Sequence, residues 1–187
     1  MALHEETAHA LAGATFMDLF QRLDQSLLEQ IWQNGRAQDA LRAIVSDDAA
    51  EPRARFLAAE ILFVKQTGYP PQGDIENLAA IYASALRDAP AAMANPWGLP
   101  GIPDGQIAQH VIRLGEAALP AFIKLLNDES VVTYGGSQEA TIGNSYHYRV
   151  KDLAAALIAQ IRNLPFVPDI EPSERNKAIR KLALALK

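Results

Sequence analysis

The chain has 187 residues, with 49% hydrophobic residues, 21% charged residues and no cysteine. Absence of cysteine excludes disulfides, thiolate nucleophiles and Cys-based metal or Fe–S sites. The formal net charge of −5 argues against a broad phosphate-binding surface, and no run of 18 apolar residues predicts a membrane span.

Alanine supplies 33 residues, against 6 Phe, 5 Tyr and 2 Trp. Apolar content of this kind suits closely packed helices and suits a sheet core poorly. A chain this long can bury roughly 70% of its unfolded surface, so it needs no metal or disulfide to hold a core. The opening stretch, MALHEETAHALAGATF, lacks a basic leader and a continuous apolar core. The cytoplasm is therefore the expected location, or the periplasm if a signal peptide has been removed.

Residues 5–32 read as one long helix or two joined ones. Leu11, Phe16, Leu19, Phe20, Leu23, Leu27, Leu28 and Ile31 recur at steps of three and four, and Asn34-Gly35 stops the run. A helix follows over about 36–46, closed by Ser46-Asp47-Asp48. Pro52 then opens a helix running to about Gln66, because a proline in the first turn loses no hydrogen bond. Thr67 to Gly73 is a loop, and Asp74 caps a helix over about 75–88.

Pro90, Pro96, Pro100 and Pro103 force an irregular crossing, with Trp97 as a plug over a helix junction. The chain reads as a single helical domain over 1–187. A possible subdivision is an N-terminal half, 1–89, and a C-terminal half, 105–187, joined by the Pro/Gly-rich segment 90–104. Helices resume at about 105–114 and 116–127, with Pro120 early in the second. A long polar insert, 128–147, is expected to be an ordered loop. A helix over about 148–162 follows, then a proline-broken stretch, then a last helix over about 174–186 capped by Ser173.

Two stretches share a rhythm. DALRAIVSDDAAEPRARFLAAEILF (39–63) and the pair LPAFIKLLNDESVV and YRVKDLAAALIAQI each hold an apolar helix and an acid-bearing turn. Each then has a helix opening on a basic residue and running through Ala-Ala. This resembles the HEAT-repeat and HEAT-like α-solenoid family, and the 133–152 stretch resembles loops of bacterial HEAT-like proteins. The resemblance implies an all-α fold, a short right-handed solenoid of about eight helices in antiparallel pairs. Single hairpins of this sort need stacking to bury their apolar faces. It also implies a protein- or peptide-binding role and supplies no catalytic chemistry.

The stretch 134–148 holds three of the five tyrosines. Long loops are uncommon unless functional or disordered, and its apolar groups argue against disorder. Tyr134, Ser137, Glu139, Thr141, Asn144, Tyr146, His147, Tyr148 and Arg149 are the candidate binding residues. Tyrosine offers area with a hydrogen-bonding tip, and Arg149 can meet a partner's carboxylate. The competing structural reading has the tyrosines packing on their own hairpin and Arg149 pairing with Asp152 or Glu139.

Other chemistry finds little support. His4-Glu5 and His9 are five residues apart, about 500° of helical rotation, so HExxH geometry is missed. His110 reads as a boundary contact. A Ser137–His147–Glu139 relay lacks a nucleophile elbow. Asp47-Asp48 and Asp128-Glu129 read as helix-end acids, and no phosphate loop or calcium loop is present. Arg175, Lys177, Arg180, Lys181 and Lys187 form a basic face on the last helix, read as dipole compensation.

The leading expectation is a non-enzymatic helical module, of adaptor, regulatory or immunity type, that binds protein or peptide. Nucleic acid is not the expected partner, and neither cofactor nor metal is expected. The alternative is a small-ligand-binding protein or hydrolase with a pocket at the 134–149 loop.

Overall fold

The computed structural model describes residues 3–33, 35–136 and 138–186, without the side chains of 138 and 139. These residues are helical and form no strands, only three isolated bridges. No helix among them is long and apolar enough to cross a membrane. They form eleven α-helical segments rather than about eight. The chain divides between Ile81 and Tyr82 into two units. The division falls inside a helix, and segment 90–104 belongs to the second unit.

In the first unit, the expected long helix over 5–32 is three pieces: α1 (Leu3–Ala12), α2 (Phe16–Phe20) and α3 (Ser26–Trp32). Local hydrogen bonds account for the breaks. Thr15 and Asp18 form a reciprocal capping box that starts α2 afresh. Asp24 accepts the Ser26 N–H and turns the chain into α3. Asn34, half of the expected stop, lies outside the described residues.

α4 (Ala37–Ser46) and α5 (Pro52–Lys65) follow the sequence closely, with Pro52 in the first turn. α4 packs on α5, and α1 packs on both. Every residue from Leu57 to Phe63 is buried, so α5 is the central helix of this unit. Ala54, Ala58 and Ala59 are fully enclosed on it. A 3₁₀ turn, Gln72–Asp74, leads directly into α6 (Ile75–Arg87).

The second unit begins with the last part of α6, followed by two 3₁₀ turns, Ala89–Ala91 and Asn95–Trp97. Trp97 is buried, and its turn packs against α7 (Gln106–Leu114). The helix expected over 116–127 is mixed: 3₁₀ turns flank a short α8 (Leu119–Ile123), with Pro120 in its first turn. The expected loop over 128–147 is corrected in its second half, where α9 spans Gln138–Tyr146. α10 (Val150–Ile161) is buried at every position from Val150 to Ala159, and α7, α8 and α11 pack around it.

α11 runs Pro172–Ala185, and Glu171 occupies the N-cap in place of Ser173. Pro172 takes the first helical position, which suits its fixed φ and missing N–H. The basic face on α11 also needs correction. Arg175 is fully buried, and Lys187 lies outside the described residues.

The two units carry the same turn. α4 is capped at its C-terminus by Asp47, with φ −86° and ψ 105°, and the 3₁₀ turn Lys124–Asn127 by Asp128, with φ −85° and ψ 108°. Each aspartate accepts the N–H two residues on, from Ala49 and from Ser130. The next acid then pairs with an arginine at the start of the central helix. Asp48 meets Arg55 at 2.9 Å, and Glu129 meets Arg149 at 2.7 Å.

Candidate functional site

Over residues 128–135 the backbone groups that are bonded alternate between two edges. On one edge the Thr133 carbonyl accepts from Ala94 N–H at 2.8 Å. The Asn95 side chain then pairs with both backbone groups of Gly135, at 3.0 and 2.9 Å. On the other edge Lys151 N–H donates to Asp128, Val150 N–H to Ser130, and Val132 N–H to Tyr148. Asn144 continues that edge. Its side chain accepts from Tyr134 N–H and donates to the Tyr134 carbonyl, both at 2.9 Å. Two asparagine amides thus stand in for neighbouring strands, so these polar groups are met without a sheet.

The same pairing explains α9. Thr141, Ile142, Gly143 and Asn144 are weak helix formers, and sequence alone gives little reason for a helix there. Tertiary contact decides it. Gly143 lies flat against the Tyr134 ring, at a spot a Cβ would occupy. Asn144 clasps the Tyr134 backbone one residue later. His147, with φ 47°, turns the chain out of the helix in the left-handed conformation.

Beneath the segment sits a charged node. Asp152 is fully buried and accepts from Arg149 N–H at 2.9 Å, Arg149 Nε at 3.0 Å and Arg149 Nη2 at 2.9 Å. Arg175 Nε donates to it at 3.1 Å. Arg175 Nη1 donates to the carbonyls of Asp169 and Ile170, and Nη2 to those of Tyr146 and His147. All five guanidinium N–H groups have acceptors, and Cζ lies 5.3 Å from the Tyr148 ring centre. Arg149 also meets Glu129, which Lys151 meets from the other side.

The electrostatics follow from this packing. The Lys151 hydrogen bond, helped by Arg149, holds the Glu129 carboxyl below its ordinary value. Burial disfavours the Arg149 charge, but Asp152 and Glu129 outweigh it and raise the pKa. Burial pushes the Tyr134 phenol well above its ordinary value, and its hydroxyl donates to the Gly98 carbonyl at 3.0 Å. Burial, with Tyr146 close by, pushes Tyr148 up to about 12.

Of the nine candidate residues, Tyr134, Tyr148 and Arg149 are buried and engaged within the chain. Asn144 spends its amide on Tyr134, and the Tyr146 ring packs at a tilt on Tyr148, centres 5.2 Å apart. Thr141 and His147 are exposed. Ser137 lies outside the described residues, as does the side chain of Glu139. Arg149 takes Asp152 as one of its two expected intrachain acids, and Glu129 as a second. His110 is buried on α7, and His4 is exposed on α1. Among the described residues no group of three His, Asp or Glu side chains is arranged to hold a metal ion.

Arg175 and Asn95 are what the sequence reading missed. A signal for Arg175 exists: it sits four residues before Ile179 and seven before Leu182, on the inner stripe of its helix. Asn95 carries no such signal, because its partner is forty residues away.

The exposed side of this construction is apolar in part. Met93 beside the extended segment and Val131 within it are 53% and 49% exposed, and Ile142 on α9 is 44% exposed. No known family model, curated protein or solved structure matches the chain.

Proposed function

We propose that the chain is a short right-handed HEAT-like α-solenoid of antiparallel helix pairs. Its role is that of a non-enzymatic protein- or peptide-binding module, of adaptor, regulatory or immunity type. The repeated turn supports the repeat reading: Asp47 and Asp128 share backbone angles and bonding, and the following acids each meet an arginine. Stacked helical units of this kind present extended surfaces, which serve partner binding.

The observation that carries the binding reading is how the exposed apolar groups are mounted. Met93 lies beside the extended segment, Val131 within it and Ile142 on α9, and the neighbouring backbone at 128, 130, 132, 134 and 135 is held by Asn95, Asn144 and residues 148–151. Apolar side chains held this way lose little freedom on binding, so more of the contact free energy appears as affinity. Thr141 and His147 supply polar groups at the rim. The buried members of the candidate set, Tyr134, Tyr148 and Arg149, act as the frame beneath this face.

The test compares partners retained from the native host by wild type and by Ile142→Asp and Val131→Asp. A protein that rebinds in purified form, and is lost from both variants, supports the reading. The same set of proteins on all three baits contradicts it.

A further inference from the structure

We propose that the backbone of Val131 is an open strand edge that takes an extended peptide, the tail or loop tip of a partner protein, as an added antiparallel strand. This rests on the binding role given above and names the form of the partner.

Residues on either side of Val131 are bonded along one edge. The Ser130 carbonyl accepts from Val150 N–H at 2.9 Å, and Val132 N–H donates to the Tyr148 carbonyl at 2.8 Å. Val131 and Arg149 are the facing pair between these two bonds, in an antiparallel bridge. In such a pair the two residues do not bond each other, so Val131 N–H and C=O point to the opposite edge. Thr133 and Gly135 bond along that opposite edge, to Ala94 N–H and to the Asn95 side chain.

This cover stops short of Val131. Before Met93, which bridges to Thr133, the covering chain is a 3₁₀ turn, Ala89–Ala91. There Ala91 N–H donates to Asp88 and Ala92 N–H to Ala89, so neither is spent on the segment. Neither backbone group of Val131 has a hydrogen-bond partner among the described residues. The Val131 side chain is exposed as well. An edge left in this state is a template for pairing with another chain.

Geometry selects the occupant. One residue of antiparallel extended chain can exchange both bonds with Val131. A second copy does not fit. Pairing Val131 with its counterpart would set residue 129 of one copy opposite residue 133 of the other, where Met93 and Ala94 already lie. An added peptide must likewise end or turn away at Met93, as a tail or loop tip does. Its residue opposite Val131 meets an apolar side chain. Two residues further on it lies opposite Glu129, 63% exposed in a chain of net charge −5, which favours Lys or Arg there.

The test screens a displayed library of random linear peptides against the full chain and scans the enriched peptides by backbone N-methylation. In an added strand, methylation at every second residue should weaken binding about tenfold, and methylation between them should matter little. Val131→Pro removes the edge donor without touching the bonds at 130 and 132, a place where strands tolerate proline. Its melting curve should match wild type while peptide affinity falls about tenfold. The proposal is overturned if no peptide binds saturably, if the methylation scan lacks the two-residue alternation, or if Val131→Pro binds as tightly as wild type. A wild-type dimer that Val131→Pro dissociates overturns it equally. Loss of host partners on Ile142→Asp, with peptides indifferent to methylation, keeps the binding face and overturns the added strand.

Discussion

Arg175 Nε donates to Asp152 Oδ2 at 3.1 Å, and neither side chain is exposed to solvent. This one arginine joins the start of α11, the end of α9 and the start of α10. A buried pair of this kind is weak evidence of net stabilisation, but removing one member is costly. Arg175→Met should destabilise the protein by about 3–5 kcal/mol, because Asp152 and four carbonyls lose a donor. Arg175→Lys should recover little of that loss, since an ammonium cannot reproduce the planar fork. Urea denaturation of the three proteins checks both expectations.

Gly143→Ala pits helix propensity against packing. In an open helix the change would stabilise by up to about 1 kcal/mol. Here the new methyl group meets the Tyr134 ring, and overpacking should instead destabilise by about 1–3 kcal/mol. Thermal unfolding decides the sign.

Asn144→Ala leaves the Tyr134 N–H and carbonyl without their clasp. The expected loss is about 1–3 kcal/mol, with faster hydrogen exchange at the Tyr134 amide. Exchange at the Val132 amide, held by Tyr148, should change less.

Glu129 gives a pH dependence of known sign. Its carboxyl is held below the ordinary value of 4.5, chiefly by the Lys151 hydrogen bond. Stability from it is complete above the unfolded value and is lost as pH falls through the lower, folded value. The acid limb of stability should therefore begin below about pH 4.5 and be shallower in Glu129→Gln. Denaturation midpoints across that range measure it.

Tyr148 acts at the other end. Its pKa is raised to about 12 in the fold, from 10.0. Its contribution is complete below the unfolded value and is lost as pH rises from there toward the folded one. Tyr148→Phe should flatten that alkaline limb, read by far-UV dichroism.

Much of the scaffold is legible in the sequence. Period and Pro52 mark α4 and α5, and the Ala-rich stretch 150–159 marks a helix buried on all sides. The legible parts are those decided by local chemistry. α9 is not among them, because Gly143 and Asn144 argue locally against a helix and only Tyr134 reverses the balance. Arg175 is hidden for a similar reason, since in sequence it is one cation among several on α11. Its burial depends on carbonyls up to 29 residues away. The candidate residues 134–149 stand out in the sequence as a cluster, but nothing in their order separates the frame from the exposed face. Burial divides them: Tyr134, Tyr148 and Arg149 lie beneath, while Thr141 and His147 face solvent.

Photo-crosslinking from position 142 in the native host tests the proposed binding face most directly. With benzoylphenylalanine in place of Ile142, one dominant protein adduct should form, and Val131→Asp in the same chain should abolish it. Adducts confined to the chain itself, or a pattern identical to that obtained from position 177 on α11, would contradict the account.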